Sequence, residues 1–121
     1  MAITILTVDD SKTMRNMLKL ALDAVGFNVV QAEDGIEGLA VLKRDLPDVV
    51  VTDINMPNMD GFEFISAVRN EPHYCTIPIL VLTTESNEIK KAKARQAGAT
   101  GWIVKPFESK RLVAAIRRVA F

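Results

Sequence analysis

The sequence predicts an α/β domain built on a parallel sheet, and three observations carry that prediction. Short, β-branched runs of strand length recur along the chain. They read as near-continuous apolar stretches, as strands buried on both faces do, rather than alternating apolar with polar. Between them lie segments with apolar residues at helical spacing, so strand and helix patterns alternate throughout.

Taken in order, the first strand is expected over Ile3–Val8. The helix after it carries Met14, Met17, Leu18, Ala21, Leu22 and Val25 on one stripe, with Gly26 placed to cap its end. On this reading the Met14/Met17 pair is core rather than a binding stripe. Phe27–Ala32 is the second strand and Ile36–Lys43 the second helix; Val49–Thr52 and Phe62–Arg69 are the third pair. Ile79–Thr83 is followed by a helix over Glu88–Ala97, closed by Gly98. Gly101–Val104 is the last strand, and Ser109–Ala120 the last helix, with Leu112, Ala115, Ile116 and Val119 on one face. Strand–helix–strand units of this kind cross over right-handedly. The elements use the whole of residues 1–121, which read as one domain without linker, repeat or low-complexity tract.

Composition narrows the class. Of the 121 residues 49% are hydrophobic and 25% charged, a globular balance rather than a disordered one. No apolar run approaches the ~20 residues that span a bilayer, and the N-terminus lacks a signal peptide's basic start and apolar core. Cys75 is the only cysteine, so no internal disulfide forms and a reducing cytoplasm is the expected setting. The net charge of zero conceals an asymmetry. Residues 1–85 hold 13 Asp/Glu against 6 Lys/Arg, a net of −7; residues 86–121 hold 9 Lys/Arg against 2 Glu, a net of +7.

Ligands of open parallel sheets bind outside the carboxyl ends of the strands, and there the polar residues of this chain concentrate. Asp9 and Asp10 follow the first strand; Asp53 and Asn55 follow the third. Thr83, Thr84 and Glu85 close the fourth, and Lys105-Pro106 follow the fifth. Read singly, each has a plain structural account. Asp10 and Ser11 are capping residues, Lys-Pro is a turn, and Asp-x-Asn-x-Pro is turn chemistry. Read together, they bring three carboxylates into one space, where mutual repulsion favours a hard divalent cation such as Mg²⁺. The Asn55 carbonyl offers a further ligand. A carboxylate between Mg²⁺ and the Lys105 ammonium is arranged to attack phosphorus, with Thr83 donating to a phosphoryl oxygen. The chemistry points to an aspartyl-phosphate site with Asp53 as nucleophile.

These residues, as Asp9-Asp10 with Thr13-Met14-Arg15, Asp53-Ile-Asn-Met-Pro-Asn-Met-Asp-Gly61, Thr83, and Gly101-Trp-Ile-Val-Lys-Pro-Phe107, resemble the receiver domain of two-component response regulators over essentially the whole chain. Within that family the chain is most similar to the stand-alone chemotaxis regulators of the CheY type. The resemblance implies a flavodoxin-like, doubly wound five-stranded sheet of order 2-1-3-4-5, a topology for which regulators of this type are themselves a standard example. It implies that Asp53 accepts phosphoryl from a histidine kinase, and that Asp9, Asp10, Asp53 and the Asn55 backbone carbonyl hold Mg²⁺. Thr83 and Lys105 are then the phosphoryl contacts, Thr83 and Trp102 the switch, and Asn55 and Glu85 the residues that tune phosphate lifetime. The implied partner face comprises Lys90, Lys91, Lys93, Arg95, Trp102, Lys110 and Arg111, in the basic C-terminal third. Two positions depart from the family pattern: Trp102 replaces the usual Tyr or Phe, and Thr84 the usual small residue.

The implied partners are a chemotaxis-type sensor histidine kinase (CheA), the flagellar motor switch protein (FliM) and a phosphatase, with no DNA, no membrane and a monomeric state. An acidic protein surface suits the basic third better than DNA, because no helix-turn-helix follows. The expected role is a signalling switch and not an enzyme. The alternatives are a phosphorelay intermediate, a phosphate sink, or a Mg²⁺-dependent aspartyl-phosphate phosphatase; a phosphatase of that kind needs an acid where Asn55 stands. A flavin or nucleotide carrier of the same fold conflicts with the acid cluster. His73 lies in a polar loop rather than on a helix, so no phosphohistidine role is expected of it, and none of redox type for Cys75. Gly98-Ala-Thr-Gly101 does not match a dinucleotide fingerprint.

Overall fold

A computed structural model describes residues 2–120. The elements run β1 (Thr4–Val8), α1 (Lys12–Asp23), β2 (Asn28–Ala32), α2 (Gly35–Asp45), β3 (Val49–Thr52), α3 (Gly61–Arg69), β4 (Ile79–Thr83), α4 (Glu88–Ala97), β5 (Gly101–Val104) and α5 (Ser109–Ala120). All strand pairs are parallel and the sheet order is β2-β1-β3-β4-β5. This is the expected doubly wound architecture. Among the described residues, no helix is long and apolar enough to cross a membrane.

The β-branched strands divide their side chains between two cores. On one face Leu6, Val8, Val50, Ile79 and Val81 pack against α2, α3 and α4 through Leu42, Phe64, Ile65, Val68 and Ala94. On the other, Ile5, Val49, Val51, Leu80 and Leu82 pack against α1 and α5 through Leu18, Leu22, Leu112 and Ile116. Alternation along each strand produces that division, and burial on both faces explains the absence of polar alternation in the sequence.

The helix ends follow local chemistry. Ser11 caps α1 by accepting from the Met14 N–H, and Asp34 caps α2 through the Glu37 N–H. Asp60 and Glu63 form a reciprocal capping box on α3, and Asn87 caps α4. α4 ends at Gly98, whose φ of +118° is the left-handed conformation glycine adopts freely.

One predicted stripe needs correction. Met17 is 49% exposed and Val25 41%, whereas Leu18 and Leu22 are fully buried. Met17 lies about 100° around the helix from Leu18, on a flank that neither the sheet nor α5 covers. α1 ends at Asp23, with Ala24 as its C-cap, so Val25 and Gly26 belong to the following turn. Met14 does pack against the α1/α5 core.

Candidate functional site

β1 and β3 are neighbours, with Val8 opposite Thr52. The next residues, Asp9 and Asp53, therefore leave the sheet side by side, and the Asp53 N–H donates to the Val8 carbonyl at 2.9 Å. Asp9 is 2% exposed and Asp53 9%. Lys105 reaches them from the end of β5: its Nζ donates to Asp9 Oδ2 at 2.8 Å and to Asp53 Oδ2 at 3.0 Å. Its own backbone is tied to β4 by the Lys105 N–H to Thr83 carbonyl bond of 2.7 Å, and the Lys105–Pro106 peptide is cis. Burial works against the ammonium charge. Its hydrogen bonds to the two carboxylates outweigh that, so the Lys105 pKa is raised above its ordinary value.

The remaining carboxylate lone pairs are also organised. Asp9 Oδ1 accepts from the Ser11 N–H at 2.9 Å, and Asp53 Oδ1 from the Ile54 N–H at 2.6 Å. Asp10 is exposed. One oxygen from each of Asp9, Asp10 and Asp53 lies within 4.8 Å of the others. Three negative charges thus face a single ammonium. Hard oxygen donors and a net local charge of −2 fit Mg²⁺, which takes one or two carboxylates and keeps waters.

Gly61 makes this arrangement possible. A Cβ there would collide with the Asp53 carbonyl oxygen and stand 2.7 Å from Ile54 Cα. With hydrogen alone in that place, the Gly61 N–H donates to the Ile54 carbonyl at 2.8 Å and folds the β3–α3 loop back on itself.

On the other side of Asp53 lies the β4–α4 loop. Thr83 is buried, on the strand face that Ile79 and Val81 turn toward α3 and α4, and its Oγ1 accepts from the Glu85 N–H at 3.3 Å. Glu85 is a node. Its Oε1 accepts from Asn55 Nδ2 at 3.3 Å and from Lys90 Nζ at 2.9 Å, while its backbone carbonyl accepts from Trp102 Nε1 at 3.1 Å. Lys90 first, and then Asn55, hold the Glu85 carboxyl below the usual range. The Trp102 ring packs against the α2–α3–α4 core. The structure thus brings Asp9, Asp10, Asp53 and Lys105 into one cluster, and Asn55, Glu85 and Trp102 into a second beside it, joined through Thr83.

The seven residues expected to form a partner face do not lie together. Lys91, Arg95 and Trp102 line one cavity between α4 and β5, and Trp102 and Arg111 the next, between β5 and α5. Lys93 turns away, its Nζ 4.4 Å from the centroid of the Phe62 ring on α3. Lys110 lines a groove against Ala21, Ala24 and Val25, on the far side of α5. Lys90 is paired with Glu85. A run of cations on a helix distributes around it at about 100° per residue, so a shared sequence segment does not make a shared face. His73 and Cys75 lie in the loop before β4, at the opposite end of the strands.

Two arginines take roles the sequence does not assign, Arg15 within the Thr13-Met14-Arg15 stretch and Arg69 with no signal at all. Arg15 Nη1 donates to the Asp9 carbonyl at 2.6 Å, bracing the first acidic loop from α1. Arg69 donates to the carbonyls of Cys75, Ile77 and, twice, Gly98, joining α3 to the end of α4 and the start of β4. Burial pulls the Arg69 pKa down.

Residues 5–117 match the family described as the response regulator receiver domain. The chain is 43% identical over 104 residues to chemotaxis protein CheY-3 of Vibrio cholerae, covering 85% of this chain and 80% of that protein. It is 38% identical over 115 residues to a protein of Porphyridium aerugineum named "Probable transcriptional regulator ycf27", covering 95% of this chain. The chain spans 47% of that regulator's length. Among solved structures, chemotaxis response regulator CheY4 of V. cholerae superposes with a TM-score of 0.92 at 44% identity, over 98% of this chain and 99% of that one.

Proposed function

The chain belongs to the receiver domain family of response regulators and is of the CheY type in two-component signalling, and from that premise we propose that it is a phosphorylation switch with Asp53 as acceptor. The observation that carries this reading is the Lys105 ammonium shared between Asp9 and Asp53 inside a group of three carboxylates. An Asp53 oxygen attacks the phosphorus of a phosphohistidine, the P–N bond breaks, and its electron pair returns to the imidazole. The product is an acyl phosphate on Asp53. Lys105 then holds a phosphoryl oxygen while remaining beside Asp9, and the Thr83 hydroxyl donates to another.

Receiver domains bind Mg²⁺ at an acidic pocket, and Asp9, Asp10, Asp53 and the Asn55 backbone carbonyl would hold it here. The metal, when bound, supplies positive charge to the phosphoryl oxygens and offsets the repulsion among the carboxylates.

Recruiting the Thr83 hydroxyl to the phosphoryl group takes it from the Glu85 N–H, and the β4–α4 loop shifts with it. Trp102, bonded to the Glu85 carbonyl, carries that shift to the surface lined by Lys91, Arg95 and Arg111. We assign this surface to an acidic partner. Similarity to chemotaxis proteins favours the motor switch protein FliM as output and CheA as donor, with a phosphatase to reset the state, in the cytoplasm. A switch of this kind binds rather than turns over substrate.

Intact-mass analysis with Mg²⁺ and acetyl phosphate tests the reading. The expected result is a gain of one phosphoryl group that depends on Mg²⁺ and is absent in Asp53→Asn, with a parallel change in Trp102 fluorescence. Phosphorylation without gain of affinity for a FliM peptide would redirect the assignment to a relay intermediate or phosphate sink. Sustained turnover of phosphate esters would replace the switch with a phosphatase.

A further inference from the structure

The pocket has two walls. Asp9 and Asp10 stand on the β1 side of Asp53; on the β4 side the wall is the contact between Asn55 and Glu85. Asn55 follows Asp53 by two residues, and Glu85 follows Thr83 by two, on neighbouring strands. Their hydrogen bond therefore spans the β3–α3 and β4–α4 loops. At 3.3 Å it is long, and by itself it would hold neither side chain firmly. The stronger bond to the same oxygen is the charge-assisted one from Lys90, at 2.9 Å.

Glu85 is otherwise fixed only through its backbone, with its N–H on Thr83 Oγ1 and its carbonyl on Trp102 Nε1. What remains free is the rotation of its side chain, and Lys90 on α4 is the one group among the described residues that ion-pairs with it. The Lys90 and Glu85 side chains are 41% and 29% exposed, so the pair is screened and opens readily. This marks it as an adjustable contact rather than a structural one.

We propose that Lys90 is a positioning residue for the phosphoryl site: by holding the Glu85 carboxylate against the Asn55 amide, it keeps the β4-side wall closed and slows the approach of water and small phosphodonors to Asp53. This rests on Asp53 being the phosphoacceptor. In hydrolysis a water oxygen bonds to phosphorus and the bond from phosphorus to the Asp53 oxygen breaks. Its electron pair stays on the regenerated carboxylate, and the proton lost by water passes to the departing phosphate or to solvent. The attacking water must enter beside the phosphoryl group, and a closed Asn55–Glu85 bridge occupies one such approach. Lys90 is thereby committed to the site and withdrawn from the partner surface.

The test follows loss of the phosphoryl group by intact mass after removal of acetyl phosphate, in the full chain with Mg²⁺. Lys90→Ala is expected to speed both hydrolysis and loading by about two- to fivefold, the range an exposed ion pair supports, and Lys90→Arg to restore the slow rates. In a Glu85→Ala background Lys90→Ala should add nothing, since the two act through one contact. Raising salt should speed hydrolysis in the unsubstituted chain and not in Lys90→Ala. Lys19→Ala, which breaks the 2.9 Å pair with Asp23 on α1, serves as control and should leave the rates alone. Loading of Asp53 with rates unaltered by Lys90→Ala, or effects of Lys90→Ala and Glu85→Ala that simply add, would overturn the positioning role while leaving the acceptor intact. Failure of the unsubstituted chain to load from acetyl phosphate would remove the acceptor and this role together.

Discussion

Two lysines form ion pairs of nearly equal length in and beside the Asp53 cluster, and the contacts differ in almost everything except distance. Lys105 meets Asp9 and Asp53 at 2.8 and 3.0 Å with all three side chains close to fully enclosed. Lys90 meets Glu85 at 2.9 Å with both side chains in contact with solvent. Water and salt screen the second pair, which therefore contributes little. The first is expensive to break, because removing one partner strands the others away from water. The Asp53 side is thus pre-built, and the β4–α4 side is held by weaker, solvent-exposed contacts that the proposed phosphorylation would rearrange. A switch needs that inequality: a fixed place for the chemistry and a loosely held element to respond.

Removing the buried cation should have the largest effect. Lys105→Met leaves the Asp9 and Asp53 carboxylates without their ammonium, and we expect a loss of about 3 kcal/mol in urea denaturation without Mg²⁺. Adding Mg²⁺ should restore part of it, since binding to the folded state alone stabilises that state. Lys90→Met in the same assay should cost far less than Lys105→Met. Equal losses from the two substitutions would erase the contrast.

Next in size is Gly61→Ala. Its methyl group meets the Asp53 carbonyl oxygen and Ile54 Cα, both backbone atoms that cannot turn aside. Overpacking of this kind costs about 1–3 kcal/mol. The β3–α3 loop would have to open, so loading of Asp53 from acetyl phosphate should fall more steeply than stability does.

On the looser side the expected values shrink. Asn87 Oδ1 accepts from the Ile89 and Lys90 N–H groups, capping α4 on an exposed turn. Asn87→Ala should cost about 1 kcal/mol and raise amide exchange in the first turn of α4, with β1 and β3 unchanged. Exchange that rises evenly across the sheet would show the two sides to be one cooperative unit.

The sequence makes the pre-built side legible and the adjustable side opaque. Val49–Thr52, Ile79–Thr83 and Gly101–Val104 are strands over the expected residues; the first two announce themselves as runs buried on both faces, and the third, at the sheet edge, by its short apolar run. A polar residue directly after such a run must emerge at the sheet edge, which locates Asp9, Asp53 and Lys105 without any packing detail. The direction of a side chain around a helix is another matter. Lys90, Lys91, Lys93 and Arg95 look alike as a basic run, yet Lys90 turns to Glu85 and Lys93 to Phe62. Which neighbour each meets depends on how α4 is rolled against α3, and the clasp of Arg69 on the Gly98 carbonyl helps set that roll. Met17 is misplaced for the same reason, being apolar at helical spacing on a flank nothing covers.

The smallest effect expected is confined to acid pH and tests a third link to the β3–α3 loop. Asp34 accepts from the Glu37 N–H at 2.8 Å and from Asn58 Nδ2 at 2.8 Å, so the start of α2 is tied to the loop that carries Asn55. The Glu37 N–H first, and the Asn58 amide second, hold the Asp34 carboxyl below its ordinary value. A carboxyl depressed by folding contributes stability that is complete above its unfolded pKa of about 3.9 and is lost as pH falls through the lower folded value. Asn58 has a φ of +67°, so glycine is the replacement that removes the amide without straining the backbone. Asn58→Gly should therefore leave less stability to lose, with a shallower fall in unfolding free energy below about pH 4 than in the unsubstituted chain. Identical acid limbs in the two proteins would mean that the backbone N–H groups at the start of α2 hold Asp34 low without the Asn58 amide.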